Sequence, residues 1–184
     1  VNDGTGIGLG GVFDGPGTLT LGRSSPTSTT NAGVASGALI EARIRLATDG
    51  ALLSADPAAA APTLGPNSVV SGRGRISGGF VIQSDIVAEG GRLALTEGDF
   101  ALEPGVTMRA LSGASLAVLD DARVTGGTWD GGSGTNLAGD GFGTIVDGRF
   151  EGRWRFGSIR LAGHATGTGT LAAPVPGRIP VETA

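Results

Sequence analysis

Glycine interrupts this chain at short, nearly regular intervals, and that spacing limits what it can fold into. Between residues 69 and 171, runs of β-prone residues alternate with Gly, Asp, Asn or Pro: FVIQ, RLALTE, DFALEP, VTMRALS, ASLAVLD, ARVT, TIVD, RFE, RWRF and SIRLA follow one another. Most runs are about four to six residues, the length of one short strand, and most breaks are about one to three. A repeat of about seven to eight residues is too short for helices and for hairpins with long strands. Three runs make a coil of about 20–24 residues, within the range of repeat architectures. The spacing therefore predicts an all-β chain folded as a parallel β-solenoid, with short strands and Gly-rich turns.

Composition agrees with many thin layers rather than one thick core. The 184 residues include 36 glycines and 9 prolines, just under the share at which disorder becomes the default, but 39% are hydrophobic and alternate with polar ones. Lysine is absent, so all 13 basic residues are arginine, and the net charge of −4 argues against a general nucleic-acid binder. With no cysteine there is no disulfide, thiolate metal site or thiol nucleophile. No run of about 18 apolar residues occurs, so no helical membrane span is expected. A start at Val1 rather than Met is what a processed product or a piece of a longer protein would show.

Three regions are expected. Residues 1–66 read as an irregular N-terminal β region: GTLTL (17–21) is a strand, SSPTSTTNAGVASG (24–37) a loop, and ADPAAAAPTLGPN (55–67) a connection. Within it, Ile40, Ala42, Ile44 and Leu46 alternate with Glu41, Arg43 and Arg45, which favours a half-buried strand over a short helix. Residues 67–173 form the solenoid body. Residues 174–184 (PVPGRIPVETA) form an extended Pro-rich tail suited to packing on a neighbour. Alternation within the body points Phe80, Ile82, Ile86, Leu93, Leu95, Phe100, Leu102, Val106, Met108, Leu116, Val118, Val124, Ile145, Phe150, Trp154, Phe156, Ile159 and Leu161 inward.

The phrases GPGTLTL (15–21), GRGRISGG (72–79), VTGGTWDGG (124–132) and GTGTL (167–171) resemble those of right-handed parallel β-helix proteins. That group includes pectin-lyase-like folds, phage tailspikes and bacterial adhesin passengers. The resemblance lies in glycine and strand spacing, so it speaks for the fold and hardly for function.

Three kinds of chemistry can be weighed. Glycoside hydrolysis needs two carboxylates flanking the bond. Asp120–Asp121 is the only acidic doublet and His164 the only histidine. Polygalacturonase-type enzymes are similar in pairing an Asp doublet with Gly-His-Gly. Here the segment is Gly163-His164-Ala165, no Asn-Thr-Asp precedes it, and Arg178-Ile179-Pro180 is the only echo of Arg-Ile-Lys. The doublet reads instead as a turn, and no catalytic residue is assigned. For calcium, GGSGTNLAG (131–139) partly resembles the β-roll nonapeptide, with Asn136 and Ala138 out of pattern and Asp130, Asp140 and Asp147 nearby. The stretch 130–143 reads as a Gly/Ser loop, and no metal or other cofactor is expected. Phosphate loops are rejected, because Gly72-Arg73-Gly74 and Gly167-Thr168-Gly169 are not followed by a helix.

The candidate binding residues are Arg149, Arg153, Arg155, Arg160 and Trp129. In RFEGRWRFGSIRL (149–161) alternation sends the arginines and Glu151 to one side of the strand, as a strip able to meet an anionic sugar or an acidic subunit surface. The plainer reading is a solvated strand face that discourages edge pairing. Trp129, in GGTWDGG, could stack on a sugar ring or cover the core.

The expected function is therefore structural or attachment-related: a virion fibre, spike or capsid-decoration component, extracellular or on a virion surface. It would act as a homo-oligomer, a trimer among the options, or with other structural subunits, and could bind a surface polysaccharide. The alternatives are a secreted adhesin passenger fragment and a polysaccharide lyase or hydrolase on the same fold.

Overall fold

A computed structural model describes residues 5–22, 29–56, 58–132, 135–168 and 170–172. Described strands all join one sheet through parallel pairings, and the chain winds as a β-solenoid of about seven turns, with no helix among the described residues. Each coil has three walls. The first coil uses Thr5–Leu9, Val12–Phe13 and Thr18–Leu21, and the second uses Thr30–Val34, Leu39–Ile40 and Arg43–Leu46. Ala51–Ala55, Thr63–Leu64 and the start of Val69–Ser77 make the third. From there several strands run around a corner and serve two walls each: Val69–Ser77, Ile86–Thr96, Asp99–Ala110, Arg123–Asp130, Thr135–Val146 and Arg153–Ala162.

Period-two alternation is what makes this winding stable. Every second wall residue points inward, and parallel stacking sets it on the equivalent residue one strand spacing away, about 4.8 Å. The result is columns. Leu93, Leu116 and Leu137 line the first wall beside Ile76, Leu95 and Val118. Phe100, Val124, Ile145 and Leu161 line the second, and Phe80 extends that column by stacking on Phe100 at 6.3 Å. Ile44, Val70, Ile86, Met108, Trp129 and Phe150 line the third. All of these are buried. The inward set read from the sequence is therefore buried, apart from Phe156, whose side chain lies outside the described residues.

Corners are the other half of the problem, since each must redirect the chain onto the next wall in a few residues. Asp120 and Asp121 have φ of 53° and 61°, and Glu97 and Asp147 have 55° and 54°. These left-handed conformations suit Asp better than most side chains. Gly98, at φ 87°, is required twice over, because a Cβ there would stand 2.7 Å from the Gly78 carbonyl carbon of the coil below. Carboxylates at corners also accept hydrogen bonds from the next coil: Asn67 N–H donates to Glu41 at 2.9 Å and Thr107 N–H to Asp85 at 2.8 Å.

The described strands before residue 66 belong to the same ladder as the body: Leu39–Ile40 pairs with Thr63–Leu64, which pairs with Val81–Ile82. Two stretches read as loops also contain wall strands, Thr30–Val34 within 24–37 and most of Thr135–Val146 within 130–143. In both, small residues are simply the ones that pack there, as Ala32 does at 0% exposure. The strand at 39–47 is present as Leu39–Ile40 and Arg43–Leu46. The tail 174–184 lies outside the described residues.

Candidate functional site

The arginines of 149–161 all point outward, while Phe150, Trp154, Ile159 and Leu161 are buried, as alternation predicts. They do not form one strip. Arg149 lies opposite Thr128 on the third wall, Arg155 opposite Asn136 on the first, and Arg160 opposite Thr144 on the second. Gly152, at φ 76°, turns the chain between the third wall and the first. Arg149 is also engaged with Glu151 at 2.9 Å. Alternation fixes inside and outside, but it carries no information about which wall a residue is on.

Of the two readings of Trp129, stacking on a sugar or covering the core, its burial fits the second. It has 0% exposure, stacks on Phe150 at 6.2 Å, and its indole N–H donates to the Gly126 carbonyl at 3.4 Å. Trp154 meets Phe150 edge-on at 6.4 Å, and its indole N–H donates to the Glu151 carbonyl at 2.9 Å. These rings fill the core where the columns need volume.

The candidate catalytic and metal groups occupy structural positions. Asp120 and Asp121 make the turn after Ser115–Leu119, joining it to Arg123–Asp130. His164 is exposed, and its backbone N–H, not its ring, donates to Asp147 at 2.7 Å. Asp130 holds Arg109 at 3.0 Å and caps the turn by accepting from Gly132 N–H at 2.9 Å. Among the described residues, no group of three or more His, Asp or Glu side chains is placed to hold one metal ion.

A more concentrated cluster lies elsewhere. An open cleft of about 610 Å³ is lined by Arg73, Arg75 and Arg92, with Asp49, Leu119 and Asp120 beside them. Arg73 is held in place: its guanidinium donates to the carbonyls of Ala47 at 3.3 Å and Gly90 at 3.2 Å, with Asp49 at 3.9 Å. Gly91 makes room for it, since a Cβ there would stand 2.8 Å from the Arg73 Cδ. Arg75 and Arg92 are both exposed, and among the described residues neither has an ion-pair partner. Arg75 pairs in register with Ala94, so Arg92 falls on the adjoining coil, two residues along the wall from it.

The sequence reading missed this cluster. Its traces are GRGR at 72–75 and GGR at 90–92, which look unrelated until the coil register is known. A scan against protein-family models and searches of curated proteins and of solved structures found no match.

Proposed function

We propose that this chain is a structural and attachment module, a shaft segment of a virion fibre, spike or capsid decoration that works through subunit assembly and surface binding. The observation that carries this reading is the continuity of the ladder from Thr5 to Ala172, with tight corners such as Asp120–Asp121 between walls. Repeat folds of this kind are stabilised by neighbouring layers, so their end layers need a cap or a partner. Ile7 and Val12, 43% and 66% exposed on two walls of the first described coil, are apolar side chains that a further coil or a subunit could cover.

The test is the mass of the native species by light scattering, for the full chain and for a chain ending at Ala173. The expected result is a trimer or larger assembly that dissociates when residues 174–184 are removed. A monomer indifferent to that removal would count against assembly and shift weight to an adhesin fragment or a polysaccharide-active enzyme.

A further inference from the structure

We propose that the second wall is a contact face for a second copy of this chain, packed antiparallel across a two-fold axis. This goes beyond the assembly reading above, because the contact joins wall to wall and uses none of residues 174–184. Its basis is one outward column. Register partners on the second wall begin as Val12, Leu39, Thr63 and Val81 and continue as Ala101, Thr125, Val146 and Ala162. Their chain neighbours Ile40, Leu64, Ile82, Val124 and Leu161 are buried in the core, so this column faces out. Val12 is 66% exposed, and Ala101 and Thr125 are exposed as well. The column carries no charge from end to end, about 34 Å of wall. The other walls differ. Their outward positions include Arg75 and Arg155 on the first and Arg45, Arg109, Asp130 and Glu151 on the third.

The repeat of the column selects the partner. An extended peptide laid along it repeats about every 6.8 Å and a helix about every 5.4 Å, and both fall out of step with a spacing of about 4.8 Å. A second solenoid keeps step over the whole length. Direction follows from size. Antiparallel packing sets Val12 on Ala162, Leu39 on Val146, Thr63 on Thr125 and Val81 on Ala101, so each larger aliphatic residue meets a smaller one. The positions two residues earlier obey the same rule. They are Gly10, Gly37, Ala61 and Gly79 in the first half and Asp99, Arg123, Thr144 and Arg160 in the second. Backbone bonds hold that edge in step too: Leu39 N–H donates to the Gly11 carbonyl at 2.9 Å and Ala101 N–H to the Phe80 carbonyl at 2.9 Å. The antiparallel pair lays the small set on the large one.

Charge gives the same direction. Asp14 and Glu41 flank the first half of the column, and Arg123 and Arg160 flank the second. An antiparallel pair lays the acidic half over the basic half, which is the complementary arrangement. A parallel two-fold pair would lay acid over acid and set Asp99 against Glu103. Such a contact is isologous, one patch meeting itself, so it closes at two copies. A face of about 34 Å by 13 Å on each copy covers about 900 Å² in all. Stable complexes begin at about 1,200 Å². The pairing is therefore weak and reversible by itself, and it adds to contacts made elsewhere in an assembly.

The experiment is cross-linking of the full chain, which has no cysteine of its own. Thr63→Cys and Thr125→Cys are made as separate single variants and treated with a short bismaleimide at high protein concentration, each alone and both mixed. In the antiparallel pair Thr63 of one copy lies about 10 Å from Thr125 of the other, the spacing of packed sheets. Like residues are displaced by a further three strand spacings, about 14 Å, along the wall. The expected result is cross-linked dimer from the mixture and not from either variant alone. Ala101→Arg, added to both variants, places a charge in the middle of the face without touching the core and should lower the yield by about tenfold or more. Val12→Arg, at a position 66% exposed, is the second variant if that one folds poorly. Ser71→Arg on the third wall should leave the yield unchanged. Cross-links from each variant alone but not from the mixture would mean parallel packing and overturn the proposal. No cross-link in any combination would also overturn it, and would leave the face to a different chain. A yield indifferent to both Ala101→Arg and Val12→Arg would overturn it as well. Light scattering of the full chain and of the chain ending at Ala173 reads tail-dependent assembly separately, so either reading can fail while the other stands.

Discussion

Trp129 lies one coil from Phe150 in the same inward column, with ring centroids 6.2 Å apart and planes inclined by 27°. Neighbouring coils supply the two rings, so each completes the other's environment. Offset stacking of this kind adds to the area term and is worth about 0.5–1.5 kcal/mol. Replacing Trp129 by Ala removes the stack and leaves a cavity between Met108 and Phe150, its column neighbours. The expected cost is about 3–5 kcal/mol. Thermal or denaturant unfolding of Trp129→Ala checks it, and an unchanged midpoint would mean that the ring is not in the core.

Leu95 and Val118 are register partners in the first wall, each at 1% exposure or less. Leu95→Asp or Val118→Asp places an unpaired carboxylate in a column with no polar partner, a cost comparable with the whole stability of a domain. Neither variant should give folded, soluble protein by circular dichroism. Folded protein from both would require a different inward register.

Gly98 and Gly105 separate two reasons for keeping glycine. Both have positive φ, 87° and 95°, but a Cβ on Gly105 meets nothing within 4 Å while one on Gly98 runs into Gly78. Gly105→Ala should cost about 1 kcal/mol from backbone strain alone. Gly98→Ala should cost clearly more, because backbone atoms must shift to admit it. Equal midpoints for the two variants would remove close packing as the reason for Gly98.

Arg153 and Arg155 are exposed on the first wall of the last described complete coil. Charge reversal of both should change stability by no more than about 0.5 kcal/mol, as for most surface sites without committed partners. A midpoint shift well beyond that would show that these arginines hold the coil together.

Period-two alternation was enough to read the walls of the body. Inward residues such as Leu93, Val118 and Ile145 each sit in a run long enough to display the period, and one strand geometry satisfies them all. The first third was harder because several of its strands are only two residues long, as in Leu39–Ile40 and Thr63–Leu64, which is too short for any period to appear. Trp129 was ambiguous because it is flanked by Gly126, Gly127, Gly131 and Gly132, which read as a turn although Arg123–Asp130 continues the ladder through the first two. The arginine cluster needed more than local pattern. Arg75 and Arg92 become neighbours only through the pairing of Arg75 with Ala94, a long-range register that short-range spacing does not specify.

Corner length varies along this chain while wall register does not. Thr5 faces Thr30 and Arg155 faces Ala172, so coils of quite different length close onto the same columns. Between Ala88 and Leu93 the strand Ile86–Thr96 takes up extra residues and rejoins its partner in step. Each corner is thus a graduation on a ruler whose unit is one strand spacing, about 4.8 Å. Residues inserted at a corner would change what is displayed at that mark without moving any other mark, so a lineage could revise its surface vocabulary one graduation at a time.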